Sequence, residues 1–482
     1  MSVQDEFASE DAMNTTGSAL EADVLVIGFG KAGKTAAAHL GRLGRRVVLV
    51  EQSERMYGGT CPNVGCVPSK GLVHHSSKRR DTDPPREFYA RAVEEVQSVR
   101  EFMRVGNIEG LNALDTVTVV DGRATFVDPH TVRVEAEGEP LKITAETILI
   151  NTGSEPHIPD IPGLSDSPRV MTSTQLIEST ALPDHLVIVG GGYLGVELSG
   201  IYRRFGSQVT VLESQPRILL HEDDDVAAAA EAILVGEGIR IVADAHVTEV
   251  RDQDDAADIT FEKDGRQETI TADAILVAAG RRPVIHGLGL EDAGVQVTDR
   301  GAIGVDEHLR TSQPHIYAAG DVNGGPQHTY ISLDDSRIVI DQLVGEARRS
   351  TADRVAIPHT LFMVPPLGTV GLTERQARAA GYNIKIASEP VADIIAMPRA
   401  YAVQETRGLM KFVIDEQTDE ILGAALLSID AQELINTVAL AMRHGITATD
   451  LRDGIYTHPS STEAFNEVLG TIVRADEPVA AK

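Results

Sequence analysis

The sequence has little cysteine, and this shortage narrows the class of protein. Only two cysteines, Cys61 and Cys66, occur in 482 residues. A secreted scaffold stabilised by disulfides would be dense in cysteine, and one very short loop adds little stability to a large enzyme. A neighbouring pair in a long chain from a reducing compartment therefore indicates redox chemistry or metal binding.

Long apolar runs and an excess of basic residues are also missing. Runs such as residues 47–50 have the length of a strand, far below the ~20 residues of a membrane-spanning helix. The net charge of −29 argues against nucleic acid and anionic membranes as partners. The acidic N-terminus lacks the basic start and apolar stretch of a secretory signal. We therefore expect a cytoplasmic protein with a disordered tail at residues 1–21.

One pattern of strand, glycine turn, helix, strand and acid occurs twice. The glycines are Gly28, Gly30 and Gly33 in the first copy and Gly190, Gly192 and Gly195 in the second. They permit a tight turn and close approach of a pyrophosphate to the N-terminus of a helix. Glu51 and Glu213 each lie 23 residues after the first glycine of their copy, where an acid binds a ribose. Two complete copies predict an α/β fold with two nucleotide sites.

Both cysteines lie in the segment GGTCPNVGCVPSK, which runs from Gly58 to Lys70. Residues five apart in a regular helix diverge by about 140°, whereas a disulfide needs Cα atoms within about 7 Å. The helix must therefore deviate locally, and Gly65 permits a bend. Zinc is the alternative, but two thiolates satisfy only half of a tetrahedral site. With Lys70 one turn beyond Cys66 to favour a thiolate, we predict a redox-active pair and no resident metal.

A candidate acid–base pair lies near the C-terminus. His458 precedes Glu463 by five residues, across Pro459. A carboxylate in this position can fix the histidine tautomer, so that the imidazole can take a proton from a thiol. Most neighbouring histidines and acids are surface residues without such a role, so the pair alone does not establish catalysis.

Taken together, these segments resemble the class I pyridine nucleotide-disulfide oxidoreductases. The cysteine segment, both glycine motifs, the run HIYAAGDV from His315 to Val322 and the His458 segment follow the order of the family. The resemblance implies two Rossmann-like domains and a C-terminal α+β dimerisation domain. It implies an FAD-binding domain at residues 22–155 and 282–350, an NAD(P)-binding domain at 156–281 and a dimerisation domain at 352–482.

The resemblance also implies roles for the thiols and their partners. Cys66 would face the flavin of FAD, and Cys61 would meet the substrate. His458 and Glu463 would act on Cys61 of the partner subunit, which makes the homodimer necessary for catalysis.

Further roles follow from the same resemblance. Lys70, paired with Glu197, would lie beside the flavin, and Tyr193 would cover the nicotinamide pocket. Glu51 and Asp321 would bind the ribose and ribityl groups of FAD. The other implied FAD contacts are Arg123, Ala124, Thr152 and Gly153, and the other implied cofactor-binding residues are Thr60, Leu194, Gly280 and Gln327.

Departures from the wider family indicate a branch. The first motif reads GFGKAGKT where dihydrolipoamide dehydrogenases usually carry Pro-Gly-Gly, and Tyr330 stands roughly where they carry a histidine. These features are similar to the bacterial reactive-chlorine-resistance oxidoreductases, which are associated with copper(II) reduction. We therefore expect an FAD-dependent NAD(P)H oxidoreductase that reduces a metal ion such as copper(II) or another oxidant. The alternatives are dihydrolipoamide dehydrogenase and a non-catalytic flavin-binding redox sensor.

The choice of nicotinamide depends on two residues. Glu213 would repel a 2′-phosphate and favours NADH. Arg217, four residues later, could offset that repulsion and admit NADPH. We expect NADH, with NADPH as the alternative.

Overall fold

The computed structural model describes residues 19–136 and 139–474. Residues 1–18 of the predicted disordered tail lie outside the described residues. Residues 19–21 begin the first strand instead, because they pair in parallel with residues 142–144.

The described residues form strands and helices whose bounds are as follows. The strands are β1 (Ala19–Ile27), β2 (Val47–Glu51), β3 (Val117–Asp121), β4 (Arg123–Asp128), β5 (Thr131–Glu135), β6 (Leu141–Ile150), β7 (Ser154–Pro156), β8 (Val170–Met171), β9 (His185–Val189), β10 (Gln208–Leu212), β11 (Arg240–Val242), β12 (His246–Asp252), β13 (Ala257–Lys263), β14 (Arg266–Ala272), β15 (Ala274–Val277), β16 (Arg281–Pro283), β17 (Ile316–Ala318), β18 (Pro358–Leu361), β19 (Leu367–Gly371), β20 (Ile384–Pro390), β21 (Leu409–Asp415), β22 (Ile421–Leu427) and β23 (Val473–Arg474). The helices are α1 (Lys31–Arg42), α2 (Thr60–Asn63), α3 (Cys66–Ser76), α4 (Pro85–Asn112), α5 (Ser173–Glu178), α6 (Tyr193–Phe205), α7 (Asp224–Gly236), α8 (Thr329–Val344), α9 (Glu374–Ala379), α10 (Pro398–Ala402), α11 (Ala431–Arg443), α12 (Ala448–Arg452) and α13 (Ala464–Val468).

The chain divides into two compact units. Among the described residues, the first unit comprises residues 19–59, Arg104–Gly153 and Pro283–Arg349. The second comprises Thr60–Met103, Ser154–Arg282 and residues 350–474. Residues 60–103, which carry both cysteines, cluster with the second unit, whereas the predicted FAD-binding domain includes them. A division into two units does not test the boundaries of the three predicted domains, which stay a prediction.

The first unit contains a seven-stranded sheet in the order β3-β2-β1-β6-β5-β4, with β17 also paired to β6. Strands β1, β2, β3, β6 and β17 are parallel, and β4 and β5 add an antiparallel edge. Strand β2 is buried along its whole length, which explains its run of valine and leucine, since parallel sheets are covered on both faces. Helix α1 packs Ala36, Ala37 and Leu40 in the same core as Val24 and Leu49.

The second unit contains the repeat of this pattern and the C-terminal α+β region. A parallel sheet has the order β11-β10-β9-β15-β8, and β12, β13 and β14 form an antiparallel sheet. A six-stranded antiparallel sheet, β18-β19-β22-β21-β20-β23, follows. Helix α11 buries Leu434 and Val438 in a core with Phe412 of that sheet, as expected for an amphipathic helix. Among the described helices, none has the length and apolar character needed to cross a bilayer.

Lys411 of β21 is a buried charge that joins several elements of the second unit. Its side chain is 4% exposed, and its ammonium lies 2.9 Å from Glu374, 3.0 Å from Asp225 and 3.2 Å from Asp223. Burial disfavours the ammonium, but the hydrogen bonds and charges of the carboxylates outweigh it and raise the pKa of Lys411. The ion pairs therefore connect the strand to the starts of α7 and α9.

We predict that Lys411→Met lowers the free energy of unfolding by about 3–5 kcal/mol, because it leaves the buried carboxylate of Asp223 without its cation. Denaturant unfolding of the holoenzyme measures this loss. The control is Lys385→Met, which removes a more exposed pair with Asp419 at 2.8 Å and should cost about 1 kcal/mol or less. Equal losses in the two variants would contradict the special role of Lys411.

Candidate active site

The first glycine turn, residues 28–33, is held by the residue that follows β6. Gly28 has φ of +105°, and a β-carbon there would lie 2.3 Å from the carbonyl oxygen of Asn151. The Asn151 side chain accepts the N–H of Gly33 at 2.8 Å and donates to the carbonyl of Ala319 at 2.5 Å. Asn151 was not predicted. Its signal in the sequence is its place at the carboxyl end of a parallel strand, where ligands of such sheets bind.

Glu51 and Glu213 hold equivalent positions in the two units. Each carboxylate accepts the N–H of the residue after the first glycine, Phe29 at 2.9 Å and Gly191 at 2.6 Å. Each also accepts the N–H two residues beyond itself, at 3.2 and 2.7 Å. Burial raises the pKa of Glu51 and outweighs the backbone hydrogen bonds, which lower it. Since a carboxylate has about four acceptor positions, both acids retain capacity for ribose hydroxyls.

The second glycine turn, residues 190–195, has room for a dinucleotide. A β-carbon at Gly190 would lie 2.5 Å from the carbonyl oxygen of Ala278, and one at Gly195 only 2.0 Å from that of Gly190. At Gly192, by contrast, no described atom lies within 4 Å of the added β-carbon. Internal packing thus requires glycine at the outer positions, whereas the middle one borders open space. The residues present therefore fit a bound pyrophosphate at the start of α6.

Most other predicted cofactor residues lie at strand ends or helix starts. Gly153 follows β6 and Gly280 follows β15, with φ of +73° and +106° and open space around each within the described chain. Thr152 donates to the carbonyl of Val284 at 2.6 Å, and Asp321 begins a 3₁₀ turn after β17. The rest are Arg123 and Ala124 in β4, Thr60 at the start of α2, Leu194 in α6, and Gln327 just before α8.

The helical segment that carries the cysteines is broken between them, as their spacing predicts. Cys61 lies in α2, Cys66 begins α3, and Gly65 between them has φ of −124° and ψ of −115°. A β-carbon at Gly65 would lie 3.1 Å from the carbonyl oxygen of Thr60, so the chain passes close to its own preceding turn. Cys61 is partly buried and Cys66 is exposed.

Lys70 and Glu197 form the expected ion pair. The ammonium of Lys70 lies 2.9 and 3.0 Å from the two carboxylate oxygens, and the Glu197 side chain is 7% exposed. The same ammonium lies 4.6 Å from the centre of the Phe362 ring, a contact that was not predicted. Because Lys70 belongs to α3 and Glu197 to α6, the pair joins the helix of Cys66 to the helix of the second glycine turn.

His458 and Glu463 also pair, in the loop before α13. Nδ1 of His458 lies 2.9 Å from Oε1 of Glu463, and Oε2 accepts the N–H of Ser460 at 2.8 Å. The hydrogen bond from His458 lowers the pKa of Glu463, so this carboxylate is ionised at neutral pH. With Nδ1 as the donor, Nε2 is the nitrogen that can accept a proton. The His458 side chain is 72% exposed.

Arg217 is engaged within its own loop. Its guanidinium donates to the carbonyls of Leu219, Leu220 and Glu222 at 3.0, 3.3 and 2.8 Å. It also donates to Asp224 at 2.9 Å, and the Arg217 side chain is only 20% exposed. The NADPH alternative requires a guanidinium directed at a 2′-phosphate, whereas this one binds four acceptors of its own chain.

Comparison with known proteins identifies the family. A family model for pyridine nucleotide-disulphide oxidoreductases matches residues 22–336, and the dimerisation-domain model of the same family matches residues 357–469. The chain belongs to this family. Pyridine nucleotide-disulphide oxidoreductases are enzymes that use FAD and NAD(P)H, and the dimerisation domain supports a homodimer. The predicted family, α/β fold class and cofactors are therefore confirmed.

Two kinds of relative within the family resemble this chain. It is 43% identical over 448 residues to the probable pyridine nucleotide-disulfide oxidoreductase RclA of Escherichia coli K12, covering 93% of this chain and 98% of RclA. It is 34% identical to the dihydrolipoyl dehydrogenase of Geobacillus stearothermophilus, covering 94% and 97%. The solved structure of the HOCl-induced flavoprotein disulfide reductase RclA matches with a TM-score of 0.87 and 43% identity over 93% of this chain and 99% of RclA. A Cu(II) complex of RclA gives a TM-score of 0.88 with the same identity and coverage.

We predict that Gly192→Ala separates cofactor binding from folding. Its φ of −75° suits any residue, so the melting temperature should not change. The added methyl group occupies the space expected for the pyrophosphate, so NAD⁺ affinity should fall roughly tenfold or more. Calorimetric titration measures this affinity. The contrasting variant Gly195→Ala should lower the melting temperature, because its β-carbon meets backbone at 2.0 Å. Unchanged NAD⁺ affinity in Gly192→Ala would contradict the assignment.

Proposed function

We propose that this chain is an NADH-dependent flavoprotein reductase of the RclA type, which uses the Cys61–Cys66 pair to reduce copper(II) or another oxidant. The observation that carries the proposal is a thiol pair on a broken helix, with the Lys70–Glu197 ion pair one turn further on. The identity to RclA, which has been solved as a Cu(II) complex, supports the choice of substrate.

The two glycine turns would divide the cofactors between the units. The first turn, Glu51 and Asp321 would hold FAD, and the second turn and Glu213 would hold the nicotinamide dinucleotide. Glu213 favours a ribose with a free 2′-hydroxyl. Because the guanidinium of Arg217 already binds four acceptors of its own loop, we propose NADH rather than NADPH.

The thiols would carry the electrons to the oxidant. When bound, FAD supplies the two-electron chemistry that links a nicotinamide to a disulfide. The charge of Lys70 would favour a thiolate at Cys66, and Cys61 would be the exchange thiol. Oxidation of the dithiol to a disulfide reduces two copper(II) ions to copper(I) and releases two protons. Reduction of that disulfide by NADH consumes one proton, so one NADH yields two copper(I) and one proton.

His458 and Glu463 would serve the exchange thiol across the dimer. We propose that Nε2 of His458 accepts the proton of Cys61 of the partner subunit, while the Glu463 carboxylate holds Nδ1. The exposure of His458 in a single chain agrees with a role at a second subunit. We further propose a cytoplasmic location and a role in oxidative stress, since a redox-active thiol pair suits a reducing compartment.

We predict that the holoenzyme oxidises NADH with copper(II) and forms two copper(I) per NADH. Cys61→Ser and Cys66→Ser should each lower steady turnover by about 100-fold or more, because the pair no longer forms a disulfide. Only Cys61→Ser should keep a long-wavelength absorption band, since it retains the thiol proposed to face the flavin. Absorbance with a copper(I) chelator measures turnover.

Reduction of NAD⁺ by dihydrolipoamide at hundreds per second would favour dihydrolipoamide dehydrogenase instead. A single stoichiometric oxidation of the thiols would favour the redox sensor.

We predict that mixed dimers reveal a shared active site. A Cys61→Ser subunit and a His458→Gln subunit are co-expressed with different affinity tags and purified through both. If each site combines one thiol pair with the partner's histidine, one site carries both lesions and the other is intact. The mixed dimer should then show about half of wild-type activity. Activity as low as that of the two single-variant homodimers would place the whole site within one subunit.

A further inference from the structure

The second unit contains a hydrogen-bonded network that ends on Tyr193 of the second glycine turn, and its other members belong to neither the cysteine segment nor the glycine turns. We call Tyr193, Glu222, His359 and Thr369 the Tyr193 network. The Tyr193 hydroxyl donates to Oε1 of Glu222, and Nε2 of His359 lies 2.9 Å from the same hydroxyl oxygen. Thr369, paired with His359 across strands β18 and β19, has its Oγ1 2.5 Å from that Nε2. The tautomer of His359 decides whether Nε2 donates to the phenolic oxygen or accepts the proton of the Thr369 hydroxyl.

The Tyr193 network borders a cavity of about 140 Å³. A single water needs roughly 10–15 Å³ of such space, so the cavity has room for several waters. Tyr193 packs partly against the apolar core of the second unit and is tilted against the His359 ring at 5.6 Å. On its other side Tyr193 lines this cavity. The hydrogen bonds to Glu222 and His359 hold its hydroxyl end in one orientation.

Glu222 is itself held at a fixed position. It is 4% exposed, and its carbonyl accepts from the Arg217 guanidinium at 2.8 Å. The adjacent Asp223 accepts the N–H of Glu374 at 2.9 Å and pairs with Lys411 at 3.2 Å. The backbone of Glu222 and the side chain of the next residue are thus both held by hydrogen bonds. The Glu222 carboxylate therefore has a fixed position from which it accepts the Tyr193 hydroxyl.

Tyr193 is the first residue of α6, directly after Gly192. This is the end of the helix where the pyrophosphate of the proposed dinucleotide would bind, so the ring lies beside the cofactor path. We propose that Glu222 and His359 are positioning residues that hold the Tyr193 ring in the orientation that receives the nicotinamide half of NADH. The inference rests on the proposed role of the second glycine turn. The part of the chain that the structure describes contains no group of three or more His, Cys, Asp or Glu side chains that could hold a metal ion.

The test compares two ligands that differ in the nicotinamide. Oxidised holoenzyme is titrated by calorimetry with NAD⁺ and with ADP-ribose, which lacks the nicotinamide. We predict that Glu222→Ala and His359→Phe each weaken NAD⁺ binding about two- to tenfold, the cost of ordering one side chain on binding. ADP-ribose affinity should not change. The KM for NADH should rise by the same factor, with kcat at saturating NADH unchanged.

Two control variants distinguish positioning from a general effect on the fold. Glu222→Gln keeps an oxygen that accepts from the phenol and should restore wild-type NAD⁺ affinity. His221→Gln changes another residue that lines the same cavity and should leave both affinities unchanged. Wild-type NAD⁺ affinity in both Glu222→Ala and His359→Phe overturns the inference, as does an equal loss for NAD⁺ and ADP-ribose. Should Glu222→Ala fail to fold, His359→Phe decides the question alone. A wild-type protein that binds neither ligand would instead overturn the proposed function.

Discussion

Each glycine turn depends on a carboxylate at the end of the following strand, which accepts a hydrogen bond from the backbone of the turn. Glu51 and Glu213 accept the first backbone N–H after the leading glycine, and this bond fixes the turn against the sheet. A buried N–H without a partner costs free energy, so the acid stabilises the turn before any ligand binds. The same carboxylate retains positions for ribose hydroxyls. One side chain therefore shapes the turn and also keeps acceptor positions for the proposed nucleotide, and the chain uses this arrangement twice.

The Lys70–Glu197 pair was predicted from the resemblance to the family, and the sequence alone predicted the features whose partners are near in the chain or follow a fixed period. The strands around both glycine turns, the break near Gly65 and the pairing of His458 with Glu463 belong to this class. The contacts of Asn151, Phe362 and His359 were not predicted, because their partners lie more than 100 residues away and depend on how strands and helices pack. The start of β1 at Ala19 was missed for the same reason, since only pairing with β6 marks those residues as strand.

The ion pair between Lys70 and Glu197 relates two functional helices of the second unit. Helix α3 begins at Cys66 and α6 begins at Tyr193, and each member of the pair lies four residues after that start. One helical turn therefore separates the pair from the thiol on one side and from the glycine turn on the other. A doubly hydrogen-bonded pair with a buried carboxylate resists sliding of the helices, because any shift leaves Glu197 without its cation.

The environment of Arg217 has a consequence for coenzyme engineering. Its guanidinium closes the loop after β10 by binding three carbonyl oxygens, and it thereby supports the backbone of Glu222. Redirecting this arginine toward a phosphorylated ribose would cost the loop those bonds and would disturb the carboxylate that orients Tyr193. A change of coenzyme preference in this scaffold therefore requires a newly introduced cation near Glu213, with Arg217 left in its structural role.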